Sequence, residues 1–215
     1  NPLGPEGSLS FIGQRFNIGR DINSSAAHFP ALYIAIDKDT ALQETLGQST
    51  STSSGLTSQE LALMNSQSET IVSVSGKLDE VIDLRDHKNL DRFLEIIRKF
   101  EIDKSVELAA ADANQLKPTL ITTSKQLLDS LLDPNWRPFP MDDAPANSQV
   151  FGRIACAAGI QGILYPSKFN QKNCLAIFTQ NFKNSSSFIQ LDDEAPVGCE
   201  VKRIDHSNCD LNLNG

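Results

Sequence analysis

Several absences narrow the field before any residue is given a role. No apolar run approaches the ~20 residues that a membrane-spanning helix needs, and the opening Asn1-Pro2-Leu3-Gly4 is neither basic nor followed by a signal-type apolar stretch. This reading therefore expects a soluble, cytoplasmic protein with no membrane partner. Basic charge is in deficit: 19 Lys and Arg against 27 Asp and Glu give a net charge of −8 and a pI near 4.9. Unselective nucleic-acid affinity comes mainly from Lys and Arg displacing condensed counterions, so DNA and RNA are poor candidates as partners. Net charge describes the whole surface and not one cleft, which leaves room for a local basic pocket. The four cysteines, Cys156, Cys174, Cys199 and Cys209, show no CxxC spacing, and His28, His87 and His206 lie beside none of them. No metal site is expected from such spacing. Cys156 and Cys174 read as buried thiols, and Cys199 with Cys209 would pair only in an oxidising compartment. There are no internal repeats. A G-x-G-x-x-G fingerprint is missing, which disfavours a hydride-transferring Rossmann enzyme, and so is the G-x-S-x-G elbow that would make Ser167 with His206 or His87 a hydrolase triad.

What is present is an ordinary globular composition, with 40% hydrophobic and 21% charged residues in 215. That length suits one sizeable core, so one domain over 1–215 is expected. Ala31–Ile36 reads as a strand. Asp37-Lys38-Asp39-Thr40 then supplies turn chemistry, with Thr40 as the candidate cap of a helix from Ala41 to about Leu46. Residues 47–59 are dominated by Ser, Thr and Gly and read as an exposed loop. Thr70–Ser75 and Leu78–Leu84, with Gly76-Lys77 between them, predict a hairpin. Leu90, Phe93, Leu94, Ile97 and Phe100 recur at helical spacing, as do Leu127, Leu128, Leu131 and Leu132. Another helical pattern over Val150–Ala158 ends at Gly159. Gly162–Tyr165 follows as a strand stopped by Pro166, which puts Ser167 just past a strand end. Cys174–Phe178 is a further strand, and Ser187–Leu191 and Val201–Ile204 are weaker ones. Helices interspersed with hairpin-linked strands point to an α+β fold with a mixed sheet.

Two groups of residues carry the chemistry. The first is Gly13-Gln14-Arg15-Phe16-Asn17-Ile18-Gly19, followed by Tyr33 and by Glu44 in Thr40-Ala41-Leu42-Gln43-Glu44. The second is Gly162-Ile163-Leu164-Tyr165-Pro166-Ser167-Lys168, followed by Asn173–Phe178. Taken singly these are weak signals: an Arg is usually solvated, a strand Tyr usually packs, and a first-turn Glu complements a helix dipole. Their order, however, resembles the RES domain: G-x-R-F-N-x-x-G, then L-Y-x-A and T-A-x-x-E, then Asp83-Leu84, Trp136, G-I-x-Y-P-S and a closing apolar strand ending in Phe. The resemblance runs over about 13–178.

The resemblance implies a mixed sheet flanked by helices, similar to ADP-ribosyltransferases, and the activity of a toxin that consumes NAD as its substrate, paired with a cognate antitoxin or immunity protein. It leaves homo-oligomerisation open. The family's Arg, Tyr, Glu and Ser fall on Arg15, Tyr33, Glu44 and Ser167; contacts to NAD are expected at Arg15, Asn17, Gly19, Tyr33, Ser167 and Lys168. Two departures stand out. Arg20–Pro30 makes the spacing between Arg15 and Tyr33 long, as an extra loop at the site's mouth would. The family's first-strand Arg has no counterpart before Gln14, so either sequence precedes Asn1 or another residue, such as Arg20, substitutes.

The residue types suit the reaction. Loss of nicotinamide leaves positive charge on the ribose, and a fixed carboxylate at Glu44 would stabilise that oxocarbenium-like transition state. Arg15 offers a planar fork for a pyrophosphate, with Asn17 and Gly19 adding amide donors in a turn. Tyr33 provides a flat face for nicotinamide, and Ser167 a hydroxyl that both donates and accepts. Water, phosphate or a protein could take the ADP-ribose, which keeps a mono-ADP-ribosyltransferase as the alternative enzyme. A catalytically silent NAD-binding module is the alternative outside enzymes. Trp136, in Asp133-Pro134-Asn135-Trp136-Arg137-Pro138, reads most simply as a turn plus a core aromatic, with a place at the border of the pocket as the alternative.

Overall fold

A computed structural model describes residues 1–22, 28–46, 71–99, 104, 120–137, 144–199 and 201–209. A 3-10 turn over Pro5–Leu9 leads into a short hairpin of β1 (Gly13–Gln14) and β2 (Asn17–Ile18). Then come β3 (Leu32–Ala35), α1 (Lys38–Leu46), β4 (Val74–Lys77) and β5 (Val81–Asp83). The helices α2 (Asp91–Ile97), α3 (Ser124–Leu131) and α4 (Asn147–Ala157) precede β6 (Gly162–Pro166), β7 (Asn173–Ile177), β8 (Phe188–Leu191) and β9 (Arg203–Asp205).

β3, β7, β6 and β5 form a four-stranded sheet in that order, antiparallel except for the parallel β5–β6 pair. β4, β8 and β9 form a second, antiparallel sheet. Side chains alternate along a strand, and β7 shows what this does. Cys174, Ala176 and the following Phe178 enter a core with Phe16, Leu84, Leu90, Leu131 and Phe151, residues of the first hairpin and the helical face. Leu175 and Ile177 point the other way, into a second core with Leu3, Phe182, Ile189 and Ile204. The four-stranded sheet thus separates helices from the second sheet, an α+β architecture with a mixed sheet.

The helices form where spacing and caps agree. Leu127 and Leu131, one turn apart, are both buried, and Thr123 with Gln126 makes a reciprocal capping box at the start of α3. Phe151 and Ala155 do the same on α4, which ends at Gly159 with φ +85°. α1 differs from expectation. It begins at Lys38, and Asp37 is the cap: its carboxylate accepts from the Thr40 amide at 2.9 Å and from the Thr40 hydroxyl at 2.8 Å. Thr40 lies inside the first turn, where its amide and its hydroxyl both donate to the Asp37 carboxylate, so the cap sits three residues earlier.

The hairpin expected across Gly76 is also overturned. β4 and β5 lie in different sheets, and Gly76 is a strand residue paired with Ile189. A Cβ there would come within 2.4 Å of the Phe188 carbonyl oxygen, so this glycine permits close strand pairing and makes no turn. The Ser/Thr/Gly-rich stretch at 47–59 and Phe100 lie outside the described residues, as do Thr70 and residues 23–27 of the long spacer before Tyr33.

Candidate functional site

Arg15 and Phe16 form the two-residue tip of the β1–β2 hairpin, whose register pairs Gln14 with Asn17 and Gly13 with Ile18. The G-x-R-F-N-x-x-G spacing has a steric origin. Gly13 has φ +88°, and a Cβ on Gly19 would come within 2.1 Å of the Gly13 nitrogen, so the two glycines let the hairpin's backbone fold against itself. The tip is driven inward. Phe16 is fully buried and meets Tyr165 edge-on at 5.0 Å between ring centroids. Arg15 is 8% exposed. Its Nη1 donates to the Leu131 and Asp133 carbonyls at 3.2 and 2.9 Å, and its guanidinium lies 5.6 Å from the Trp136 ring centroid. Burial lowers the guanidinium's pKa from its ordinary value, opposed by the fields of Tyr165, Glu44, Tyr33 and Asp133.

Tyr33, on β3, locks this tip. Its hydroxyl accepts from the Phe16 amide at 2.9 Å and donates to Asn17 Oδ1 at 3.0 Å. Desolvation raises its pKa far above the ordinary phenol value, so it stays protonated and keeps donating. Asn17 is fully buried: Oδ1 also accepts from the Gln14 amide, and Nδ2 donates to the Ser8 carbonyl. The Gly19 amide donates to the Ile12 carbonyl. Asn17 and Gly19, read from sequence as donors to a pyrophosphate, therefore have those groups engaged in holding the Arg15 hairpin.

Glu44 and Ser167 are 123 residues apart, and the Ser167 hydroxyl donates to Glu44 Oε1 at 2.5 Å. Ser167 is fully buried at the end of β6, where its Oγ also accepts from the Phe169 amide at 3.2 Å. The β6–β7 connection that carries it is tied to α1 twice more. Asn170 Nδ2 donates to Thr40 Oγ1 and Gln43 Oε1, and Lys172 pairs with the helix-capping Asp37 at 2.7 Å. The helix bearing Glu44 and the turn bearing Ser167 thus form one cross-braced unit.

These elements surround a cavity of about 370 Å³, within the range of small-molecule sites. Arg15, Tyr33, Glu44 and Lys168 line it, beside Ser8, Tyr165 and Cys174. Ser167 acts from behind, through Glu44, and Asn17 and Gly19 are not among the lining residues. Arg20 is exposed on the β1–β2 side and does not line the cavity either. Trp136 and Arg137 do: Trp136 takes the alternative place at the pocket's border, and Arg137 had been given no role from sequence. The signal available was a lone Trp next to two Pro and flanked by Arg, which reads equally well as a packed turn. The cavity therefore carries three cationic side chains, Arg15, Arg137 and Lys168, and Glu44 as the single carboxylate among its described lining, against the net negative charge of the whole chain. Such a wall attracts an anionic ligand. Cys174 is 2% exposed, and burial pushes its thiol pKa up to about 12, which makes it a packing group and no nucleophile.

Among the described residues, no helix is long and apolar enough to cross a membrane. A search of curated proteins and a search of solved structures returned no match. The model of the RES domain matches residues 5–197, a span that takes in the Arg15 hairpin, α1, the Trp136 turn and the Ser167 connection, and the chain belongs to that family.

Proposed function

We propose that this chain cleaves the nicotinamide–ribose bond of NAD, the ribose carbon passing from nicotinamide to water, which loses a proton, or to inorganic phosphate. The supporting observation is the 2.5 Å bond by which buried Ser167 fixes the Glu44 carboxylate at a cavity whose other charged groups, Arg15, Arg137 and Lys168, are all cationic. Membership of the RES family, with its association with NAD-related toxins, agrees with that reading.

The roles follow from the chemistry of each group. As nicotinamide leaves, positive charge develops on the ribose. A carboxylate already held in place stabilises that charge without having to reorient, and can also accept from a ribose hydroxyl. Arg15, held by two backbone carbonyls through Nη1, presents the rest of its fork to the diphosphate; among the described residues no other group accepts from that remainder. The Tyr33 ring, its hydroxyl committed to the hairpin, contributes a face for the nicotinamide. Lys168, whose ammonium lies 4.7 Å from the Phe169 ring centroid, adds positive charge at the rim. A chain with this activity would act in the cytoplasm, and a cognate antitoxin that covers the cavity would be its partner.

The direct test is to incubate the purified chain with NAD, with and without inorganic phosphate, and follow free nicotinamide. Nicotinamide should appear in step with NAD loss without any added protein. NAD that stays intact under these conditions overturns the reading.

A further inference from the structure

Trp136 is the chain's single tryptophan, and two guanidinium groups pack over its ring: Arg15 at 5.6 Å and Arg137 at 5.8 Å from the centroid. All three residues line the same cavity. The two arginines differ in origin and in burial. Arg15 is buried, comes from a hairpin tip and is held by the carbonyls of Leu131 and Asp133. Arg137 is exposed and follows the turn that begins at Asp133, where the Trp136 amide donates to the Asp133 carbonyl at 3.2 Å and Asp133 Oδ1 accepts from the Asn135 amide. Asp133 thus serves both guanidiniums: its carbonyl holds Arg15 directly, and the turn it nucleates sets the Trp136 shelf and, one residue on, Arg137.

Two like charges brought to one ring repel each other, and part of that cost is offset by the attraction of each cation to the ring. No carboxylate lies within ion-pair distance of either guanidinium among the described residues. An anion seated between them would satisfy both, and a pair of adjacent phosphates offers each fork its own set of oxygens. We infer that Trp136 and Arg137 complete a diphosphate-binding site, in which Arg15 holds one phosphate, Arg137 holds the other, and the indole fixes the distance between the two forks. The ligand class is a nucleoside diphosphate or a dinucleotide built on one. This inference rests on the NAD reading for its biological meaning, but its binding test does not need turnover.

The experiment titrates ADP and AMP into the wild-type chain and follows Trp136 fluorescence, which reports from the cavity alone because no other tryptophan is present. ADP carries two phosphates and AMP one, on the same nucleoside. The wild type should bind ADP more tightly than AMP by about tenfold, the worth of one charge-assisted contact of roughly 1.4 kcal/mol. Arg137→Gln should abolish most of that ratio by weakening ADP binding, leave AMP within about twofold, and raise KM for NAD more than it lowers kcat. Arg137 is exposed, so the variant should keep the wild-type unfolding temperature. An Arg137→Gln chain that keeps the wild-type preference for ADP, or that loses ADP and AMP binding equally, overturns the inference. So does a wild type that does not distinguish the two nucleotides. The NAD reading fails separately, if wild-type enzyme that binds ADP with the expected preference releases no nicotinamide.

Discussion

Glu44 sits on the last turn of α1, exposed to solvent except where Ser167 donates to Oε1. A carboxylate so placed loses part of its electrostatic strength to water until a substrate covers it, so its effect should fall mostly on the bond-breaking step and little on binding. Glu44→Gln is the sharp test. The amide keeps the volume, and its oxygen still accepts from Ser167, while the negative charge opposing the ribose cation is gone. The kcat for NAD should fall on the order of 100-fold or more, equivalent to about 2.7 kcal/mol of transition-state stabilisation, with KM changed by less than about threefold. Wild-type turnover in the Gln variant would mean that the carboxylate's charge does no chemistry. At the same scale, Ser167 is a positioning residue: buried and facing Glu44 from behind, it acts through the side chain it holds.

The element that matters most for Arg15 is α4, although it contributes no residue to the cavity's lining. Gln149, at the start of α4, donates through Nε2 to the carbonyls of Ile12, Gln14 and Asn17, a three-way hold on the hairpin. One turn further on, Gly152 lets the helix approach the tip so closely that a Cβ would lie 2.0 Å from the Phe16 carbonyl oxygen and 2.7 Å from its carbon. Backbone cannot yield as a side chain can. Gly152→Ala should therefore cost about 1–3 kcal/mol or more, a fall of roughly 2–4 °C in Tm for each kcal/mol in a chain of this size, despite the better helix propensity of Ala. It should also weaken nucleotide binding, because the strain is relieved by moving Phe16 and with it Arg15. A variant as stable as the wild type would show that the helix and hairpin can separate freely. The contrast shows how far the sequence could be read. The strands carrying Tyr33 and preceding Ser167, and the helix ending at Gly159, follow from period and punctuation, since each is a local pattern bounded by Gly, Pro or Asp. The juxtaposition of Glu44 with Ser167 came only from resemblance, because no local pattern encodes a contact across 123 residues. Gly76 was misread because a glycine between two apolar runs looks the same whether it turns the chain or admits a neighbouring strand. Asn17 and Gly19 looked like ligand donors because a sequence does not say that the Asn17 side-chain amide and the Gly19 backbone N–H are already engaged inside the protein. Trp136 kept two readings and Arg137 had none, because a packed aromatic and a shelf for two arginines have the same composition.

Across the whole molecule, the ion pairs and carboxylate bonds that tie distant segments share one acid-sensitive property. Asp37 caps α1 and bonds Lys172 of the β6–β7 connection, and Lys172 together with the Thr40 amide and hydroxyl holds its carboxyl down at about 2. Asp79 ties Lys77, at the end of β4, to Ser186 before β8, and those contacts likewise bring its carboxyl to about 2. Two local carboxylates behave alike, each paired within two residues: Asp205, bonded by Ser207 and Arg203, is lowered further, and Asp83 is lowered by Arg85. In each case the folded carboxyl is more acidic than the ordinary 3.8 of the unfolded chain. Between the two values the unfolded state binds more protons, so stability rises with pH there. The contribution is fully present above about pH 4 and is lost as pH falls through about 2. Each pair is exposed and individually weak, and salt screens it. The expected outcome is a Tm that is level from neutral pH to about 5 and declines steeply between about 4 and 2, with a shallower decline in concentrated salt. Asp37→Asn should flatten part of that decline, since the amide oxygen still accepts from Thr40 but no proton can be added. It should also lower Tm at neutral pH by releasing the Lys172 tie that holds the Ser167 connection against α1. Differential scanning calorimetry across this range checks both statements. A wild type whose Tm holds steady down to pH 2, or an Asp37→Asn chain with an unchanged acid slope, would show that the bond between Glu44's helix and Ser167's connection contributes nothing to the folded state.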